Sequence, residues 1–378
     1  MNYDFSQKET AFFADVAKAV KELTADGKHD VRRNSLDKKS LLPIVSNLSK
    51  TPYLKLGLEP EDELKGHLSL MGAMELLAAA SPSVYLAVEA STRLFGRAVC
   101  QWADQDLKEK LIVPLLAGKL IGALGLSEDN VSVEKQQIVT TGEKNGSNAV
   151  VSGKKQYVIN APLADWIAVA GTYDQSMALF LIEKNTPGLV VGPPLETMGY
   201  EGVLIAEIVL EKCQIPESQV VLPSEGQNTP AVIKMWENQI LLGASLGISS
   251  AAFDAARNFA KSHKSGSKPV IAYQEIGFKL AEMLTLLQTS QLLAYRTAWT
   301  METNPKEAEE LMWCAKVFCT ESAEQICSQA LQVLGASGYV EGNRAQLAYR
   351  CAKYNQVTGT STEIARVKIG DAELGYRE

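Results

Sequence analysis

The spacing of apolar residues changes twice along the chain, and this change limits the possible folds more than any other feature of the sequence. From residue 5 to about 120, apolar side chains recur at three- and four-residue steps, as on one face of an α-helix, and one such stretch runs from Val84 to Trp102. From about 121 to 225, short β-rich runs, among them Val150 to Ser152 and Tyr157 to Ile159, are separated by Gly, Asn, Asp and Pro. From about 228 the helical spacing returns. This order predicts an α+β fold in which a β-domain lies between two helical domains.

The domain boundaries follow from the same pattern. We assign residues 1–120 to an N-terminal α-helical domain, 121–227 to a middle antiparallel β-domain and 228–378 to a C-terminal helical domain. In the first long helix of the last domain, Gly243 and Gly247 lie one turn apart. Because glycine has no side chain, these two positions should let a neighbouring helix approach closely.

Charge and residue usage exclude several classes of protein. Lys and Arg number 37 against 44 Asp and Glu, so the net charge is -7 and a nucleic acid is not an expected partner. The longest apolar stretch, Ile240 to Ala256, is interrupted by Gly and Ser, which favours a buried helix over a membrane span. The six cysteines form no CxxC pair and the N-terminus lacks a signal-peptide pattern, so we expect a cytoplasmic protein. Three histidines, far apart in sequence, argue against a zinc site.

Several short motifs follow one another along nearly the whole chain. They are Phe5-Ser6-Gln7-Lys8-Glu9, Leu126-Ser127-Glu128, Gly153 to Ala161, Tyr273-Gln274, Gln332 to Tyr339, and Gly359-Thr360-Ser361 followed by Glu363-Ile364-Ala365-Arg366. Together and in this order they resemble the acyl-CoA dehydrogenases, flavoenzymes that desaturate acyl-CoA thioesters. The resemblance implies the fold of that family, with an N-terminal all-α domain, a middle antiparallel β-domain and a C-terminal four-helix bundle.

The same resemblance implies a cofactor, a substrate and partners. The cofactor would be FAD, the substrate an acyl-CoA and the electron acceptor an electron-transfer flavoprotein. The assembly would be a homotetramer or a heterotetramer with a paralogue, because sites in the family are shared between subunits. The positions that match the family's flavin-binding motifs are Ser127, Tyr157, Ile159, His263, Gln274, Gln332, Gly335, Gly338, Thr358 and Thr360.

Desaturation next to a thioester requires a carboxylate within reach of the α-proton. Most members of the family carry this glutamate just before the closing Gly-Thr, but here Thr358 stands at that position, and a protonated hydroxyl cannot serve as the base. Some relatives carry the glutamate near the start of the first long C-terminal helix, and Glu237 matches that place, with Asn238 instead of the usual arginine. Glu237 is therefore our candidate base. Glu89, on a helix that lines the acyl pocket in the family, is the alternative.

The departures from the family pattern leave two functions open. Ile159 replaces a hydroxyl residue near the flavin, and His263 replaces an arginine that reaches the cofactor of the adjacent subunit. These changes favour a specialised acyl group, such as a branched, cyclic or aromatic-derived one. Alternatively, the chain is a non-catalytic or half-catalytic subunit that a paralogue completes in a heteromeric acyl-CoA dehydrogenase.

Overall fold

The computed structural model describes residues 5–24, 35–58, 64, 66–129, 138–224 and 226–375, and its first part is helical. A π-helical segment, Ala90–Gly96, joins the fourth helix to the fifth without a break. The predicted helical stretch from Val84 to Trp102 is therefore confirmed. The helices are α1 (Gln7–Thr24), α2 (Lys38–Leu48), α3 (Gly66–Ala80), α4 (Pro82–Glu89), α5 (Arg97–Trp102) and α6 (Gln105–Leu116).

The path from α4 to α5 forms the centre of this helical region. It begins at Pro82, whose fixed φ suits the first turn of a helix, and the Ser81 hydroxyl caps it by accepting the Val84 N–H at 3.3 Å. All residues from 81 to 99 are buried. A helix buried on all sides lies inside a protein rather than on its surface, which explains why its sequence shows little polar periodicity.

The middle region is a single eight-stranded sheet in the order β6-β7-β3-β2-β4-β5-β8, with β1 beside β4. Most neighbours are antiparallel, as predicted, whereas the pairs β1–β4 and β2–β4 are parallel. The runs predicted separately around 150–152 and 157–159 form one long strand, β3. The strands are β1 (Gly122–Gly125), β2 (Thr141–Asn145), β3 (Asn148–Ile159), β4 (Trp166–Tyr173), β5 (Ser176–Glu183), β6 (Leu189–Val191), β7 (Ile205–Pro216) and β8 (Val220–Val221).

The last region is helical again, and its first helix packs closely on α3. A Cβ atom on Gly247 would lie 2.5 Å from the Cβ of Ala78, and one on Gly243 would lie 2.7 Å from the Cβ of Met74. The close approach predicted from these glycines is confirmed. The helices are α7 (Thr229–Ser262), α8 (Gln274–Thr303), α9 (Pro305–Leu334), α10 (Arg344–Val357) and α11 (Thr362–Leu374).

Helix α7 links the helical regions on either side of the sheet. By length and composition it could cross a membrane, but 78% of its most apolar window is buried inside the protein. Burial of this extent is typical of a core helix, as the sequence predicts for Ile240 to Ala256. The domain boundaries assigned at 120 and 227 fall between α6 and β1 and between β8 and α7, and they stay a prediction.

Candidate active site

A cavity of about 620 Å³ lies where the sheet meets the C-terminal helices. Its walls come from the segment after β1, the end of β3, residues 195–199, the first turns of α7 and the end of α10. The fold thereby brings five of the predicted site residues to one place. They are Ser127, Tyr157, Ile159, Glu237 and Thr358.

A smaller cavity of about 40 Å³ adjoins the first one. It shares Tyr157, Lys234 and Glu237 with the larger cavity and reaches Ala90 and Leu94 of the π-helical segment. Glu237 therefore lies between an open, wide space and a narrow one. This position suits a group that acts on a ligand spanning both spaces.

The segment that carries Ser127 is held in place by bonds that the sequence analysis missed. The Lys155 ammonium donates to the carbonyl oxygen of Leu126 at 3.2 Å and to Oε1 of Glu128 at 2.6 Å. The backbone N–H of Gln156 donates to the carbonyl oxygen of Ser127 at 2.9 Å. Three consecutive residues are thus fixed by β3, and the position of Ser127 in the cavity wall follows from these bonds.

Glu128 and Lys155 form a buried ion pair, with side-chain exposures of 4% and 0%. The Thr140 N–H and hydroxyl and the Val139 N–H also donate to the carboxylate. Burial works to raise the pKa of Glu128, but the bonds from Lys155 and Thr140 outweigh it and hold that pKa below its ordinary value. Burial lowers the pKa of Lys155 to about 8 against the opposing influence of Glu128. Both groups are consequently charged at neutral pH.

Tyr157 reaches the cavity because β3 is irregular at this point. Between Lys155 and Val158 the pairing with β7 shifts by one residue, which is a β-bulge that redirects a side chain. Tyr157 has a φ of 57°, in the left-handed region that bulky residues rarely adopt, and it is 69% exposed. Backbone strain of this kind occurs preferentially at functional sites.

Glu237 lies on α7 one turn after Lys234. The Lys234 Nζ donates to Oε2 of Glu237 at 2.9 Å, and the two side chains are 12% and 20% exposed. A lysine and a glutamate three residues apart on a helix favour such a pair, and this spacing is the signal for it in the sequence. The candidate base therefore rests as an ion pair at the junction of the two cavities.

The end of α10 forms the wall opposite β3. The Thr358 hydroxyl donates to the carbonyl oxygen of Tyr354 at 2.8 Å, and the Thr358 N–H donates to the same oxygen at 3.1 Å. Lys316 of α9, whose side chain is fully buried, donates to the carbonyl oxygens of Asn355 and Gln356 in the same turn. A buried cation at a helix C-terminus is also favoured by the helix dipole.

Glu89, the alternative base, lies elsewhere. Its side chain is fully buried beside the π-helical segment, where the Tyr53 hydroxyl donates to Oε1 at 2.6 Å and the Arg93 Nε lies 3.8 Å from Oε2. It is not among the described residues that line the two cavities. Its partners indicate a role in the core of the helical region.

Comparisons with known proteins identify the family to which this arrangement corresponds. The profile of the acyl-CoA dehydrogenase middle domain matches residues 123–213, and that of the C-terminal domain matches residues 235–374. The benzylmalonyl-CoA dehydrogenase of Aromatoleum aromaticum is 33% identical over 272 residues, which cover 70% of this chain and 71% of that protein. The chain belongs to the acyl-CoA dehydrogenase family. The predicted class of enzyme, a flavin-dependent oxidoreductase, is confirmed with it.

Other acyl-CoA dehydrogenase relatives extend over almost the whole chain. The 3-(aryl)acrylate reductase of Clostridium sporogenes is 26% identical, and the aligned region covers 95% of this chain and 98% of that protein. The structure of butyryl-CoA dehydrogenase from Megasphaera elsdenii superposes with a TM-score of 0.90 at 24% identity, covering 99% of this chain and all of that one. The predicted acyl-CoA dehydrogenase fold is therefore confirmed.

The remaining residues predicted to bind the acyl-CoA dehydrogenase cofactor are not in the cavity wall. Thr360 is buried behind that wall and bonded to Asn238. His263 follows the end of α7 and stacks on Phe259, with ring centroids 4.5 Å apart. The other four belong to the C-terminal helical region. Gln274, Gln332 and Gly335 are exposed, and Gly338 is buried.

Proposed function

We propose that the chain is an FAD-dependent acyl-CoA dehydrogenase in which Glu237 removes the α-proton of an acyl-CoA and the β-hydrogen leaves as hydride, giving an enoyl-CoA. The observation that carries this proposal is the position of the Glu237 carboxylate, which lines the same cavity as Ser127, Tyr157 and Ile159. A general base must lie within hydrogen-bond reach of the proton it abstracts, and partial burial keeps competing water away.

The wall of the larger cavity fits a flat redox ring. The exposed Tyr157 ring offers an aromatic face, and the Ser127 and Thr358 hydroxyls provide polar groups for the ring edge. When bound there, FAD supplies a two-electron acceptor for the hydride. The side chains that would surround the ring are Ser127, Tyr157, Ile159, Leu195, Met198, Tyr354, Val357 and Thr358.

The proposed acyl group is a specialised one, derived from an aromatic, cyclic or branched acid. Two relatives support this proposal by their names, one a dehydrogenase of benzylmalonyl-CoA and the other a reductase of 3-arylacrylates.

Anaerobic flavin reduction tests the assignment of the base. The flavin-loaded protein is mixed with phenylpropionyl-CoA, butyryl-CoA and glutaryl-CoA, and the loss of flavin absorbance is followed. We expect Glu237→Gln to retain flavin while reduction slows by about 10²–10⁴-fold, since this is the usual contribution of a general base. Glu89→Gln should reduce flavin at a rate close to that of the wild type. Reduction of Glu237→Gln at the wild-type rate would refute the assignment.

We further propose that the cofactor site is completed by a second subunit in a tetramer. Gln274, Gln332 and Gly335 match flavin-binding positions of the family but lie exposed on the C-terminal helices, outside the cavity of their own chain. They would then serve the site of a neighbouring subunit, either an identical chain or a paralogue. An electron-transfer flavoprotein would reoxidise the flavin, in the cytoplasm.

A paralogue is favoured as the second subunit by His263, which replaces an arginine and stacks on Phe259 instead of extending away from the helix. Expression alone and together with candidate paralogues from the same genome separates the two assemblies. A yellow homotetramer with one FAD per chain supports the self-sufficient enzyme. A colourless protein that acquires flavin only in a mixed tetramer supports the heteromeric enzyme.

A further inference from the structure

The Lys234 ammonium is an unusual feature of the narrow cavity. Apolar side chains such as Leu94 share the lining of that cavity with polar ones such as Ser127 and Gln156, and the charged residues among its described lining are Lys234 and Glu237. A plain alkyl chain offers no partner to an ammonium group, whereas an anionic group on the ligand does. The lysine therefore suggests that the ligand itself carries an anion.

The other cations of the larger cavity already have partners. Arg350 forms an ion pair with Glu201, and Lys353 lies 3.5 Å from Glu324. The partner of Lys234 in the described structure is Glu237, the proposed base. Lys234 is thus the cation whose counterion must change during the proposed reaction.

The pairing of Lys234 with Glu237 opposes catalysis in the resting state. The ammonium, 2.9 Å from Oε2, occupies one oxygen of the carboxylate that has to reach the α-proton, so this ion pair has to loosen before the base can act. When Glu237 takes a proton it becomes neutral, and the ammonium would be left unpaired in a half-buried site. A second anion that accepts the ammonium removes both costs.

We propose that Lys234 determines specificity by binding a second carboxylate on the acyl group, so that the substrate is a dicarboxylic acyl-CoA. This inference rests on the proposed function. Substrate binding exchanges one ion pair for another: the ammonium leaves Oε2 of Glu237 and pairs with the substrate carboxylate. Glu237 is then released towards the α-proton, and an acyl-CoA without the second carboxylate leaves the base paired.

Binding measurements test this exchange without any turnover. Isothermal titration of the flavin-loaded protein compares thioesters of equal length that differ by a carboxylate in place of a methyl group: malonyl- with propionyl-, succinyl- with butyryl-, and glutaryl- with valeryl-CoA. We expect at least one dicarboxylic member to bind the wild type about tenfold or more tightly than its partner. Lys234→Met should abolish this preference while the monocarboxylic thioester binds as before, and Lys234→Arg should retain part of it.

Two further variants separate specificity from a structural role. Glu237→Gln removes the competing carboxylate, so the dicarboxylic thioester should bind this variant several-fold more tightly than it binds the wild type. A lysine that merely stabilised α7 would give no such gain. Lys144→Met removes a charge from an exposed pair with Glu217 at the sheet and should leave the preference unchanged.

The outcomes distinguish this inference from the proposed function. A wild-type protein that binds both members of every pair equally, or a Lys234→Met variant that weakens both members alike, overturns the role of Lys234 alone. Failure of the wild type to bind any of the six thioesters or phenylpropionyl-CoA overturns the proposed function and this inference with it.

Discussion

Asn238 and Thr360 form a closed pair of hydrogen bonds between α7 and the turn after α10. The Thr360 N–H donates to Oδ1 of Asn238 at 2.9 Å, and the Asn238 Nδ2 donates to Oγ1 of Thr360 at 3.1 Å. Both residues are buried, and a Cβ on Gly359 would lie 2.5 Å from the same Oδ1. Because Asn238 follows Glu237 directly, this contact ties the candidate base to the opposite wall of the cavity.

We expect Asn238→Ala to lower the free energy of unfolding by about 1–3 kcal/mol, because it leaves the buried Thr360 N–H without its acceptor. Urea unfolding followed by circular dichroism measures the change. Thr360→Ser, which keeps the hydroxyl and the backbone N–H, should remain within about 1 kcal/mol of the wild type, since only a methyl group is lost. Equal loss in both variants would show that the hydrogen bonds do not stabilise the turn.

The buried pair of Lys155 and Glu128 should behave as a unit. Lys155→Met leaves a buried carboxylate without its cation, and we expect a loss of about 3–5 kcal/mol in the free energy of unfolding. The double variant Lys155→Met with Glu128→Leu should recover much of this loss, because no unpaired charge remains. Additive losses in a double-mutant cycle would contradict the coupling. Flavin content, measured by absorbance, should likewise fall in Lys155→Met and recover in the double variant, since the pair holds Ser127 in the cavity wall.

Lys316 should make the free energy of unfolding depend on pH in the alkaline range. Burial lowers its pKa to about 7, while Glu237 works to raise that pKa and Lys234 to lower it. Between pH 7 and the ordinary lysine value of 10.5, the unfolded chain binds more protons than the folded one, so this group makes the free energy of unfolding rise with pH. Relative to Lys316→Met, the wild type should gain roughly 2–3 kcal/mol between pH 7 and pH 9. Parallel pH profiles for the two proteins would contradict the shifted pKa.

The contact of α7 with α3 should tolerate no side chain at Gly247. Gly247→Ala places a Cβ 2.5 Å from that of Ala78, and we expect the free energy of unfolding to fall by about 1–3 kcal/mol. The control is Gly370→Ala in α11, where no described atom lies within 4 Å of the new Cβ. There the better helix propensity of alanine should raise stability by about 0.5–1 kcal/mol. Thermal unfolding of both variants gives the comparison.

The order of domains could be predicted from the sequence, because hydrophobic spacing reflects the repeat of the element that a segment forms. The same local signal predicted the helical stretch from Val84 to Trp102, and the spacing of Gly243 and Gly247 predicted the close packing there. Strand β3 shows what this local signal could not predict. The bulge at Tyr157 depends on how β7 pairs with it, so two separate runs were predicted where the structure has one strand.

The different surroundings of Glu237 and Glu89 are visible only in the tertiary structure. Both are glutamates in apolar helices, and their neighbours in the sequence do not indicate whether the side chain lines a cavity or lies in the core. Packing placed Glu89 against Tyr53 and left Glu237 in the cavity wall. Likewise, Lys155 meets Glu128 across 27 residues and Lys316 meets Asn355 across 39. The sequence by itself determined which elements form, since neighbours along the chain set their period. Which charges face one another was decided by the packing of distant elements, where burial makes a partner necessary.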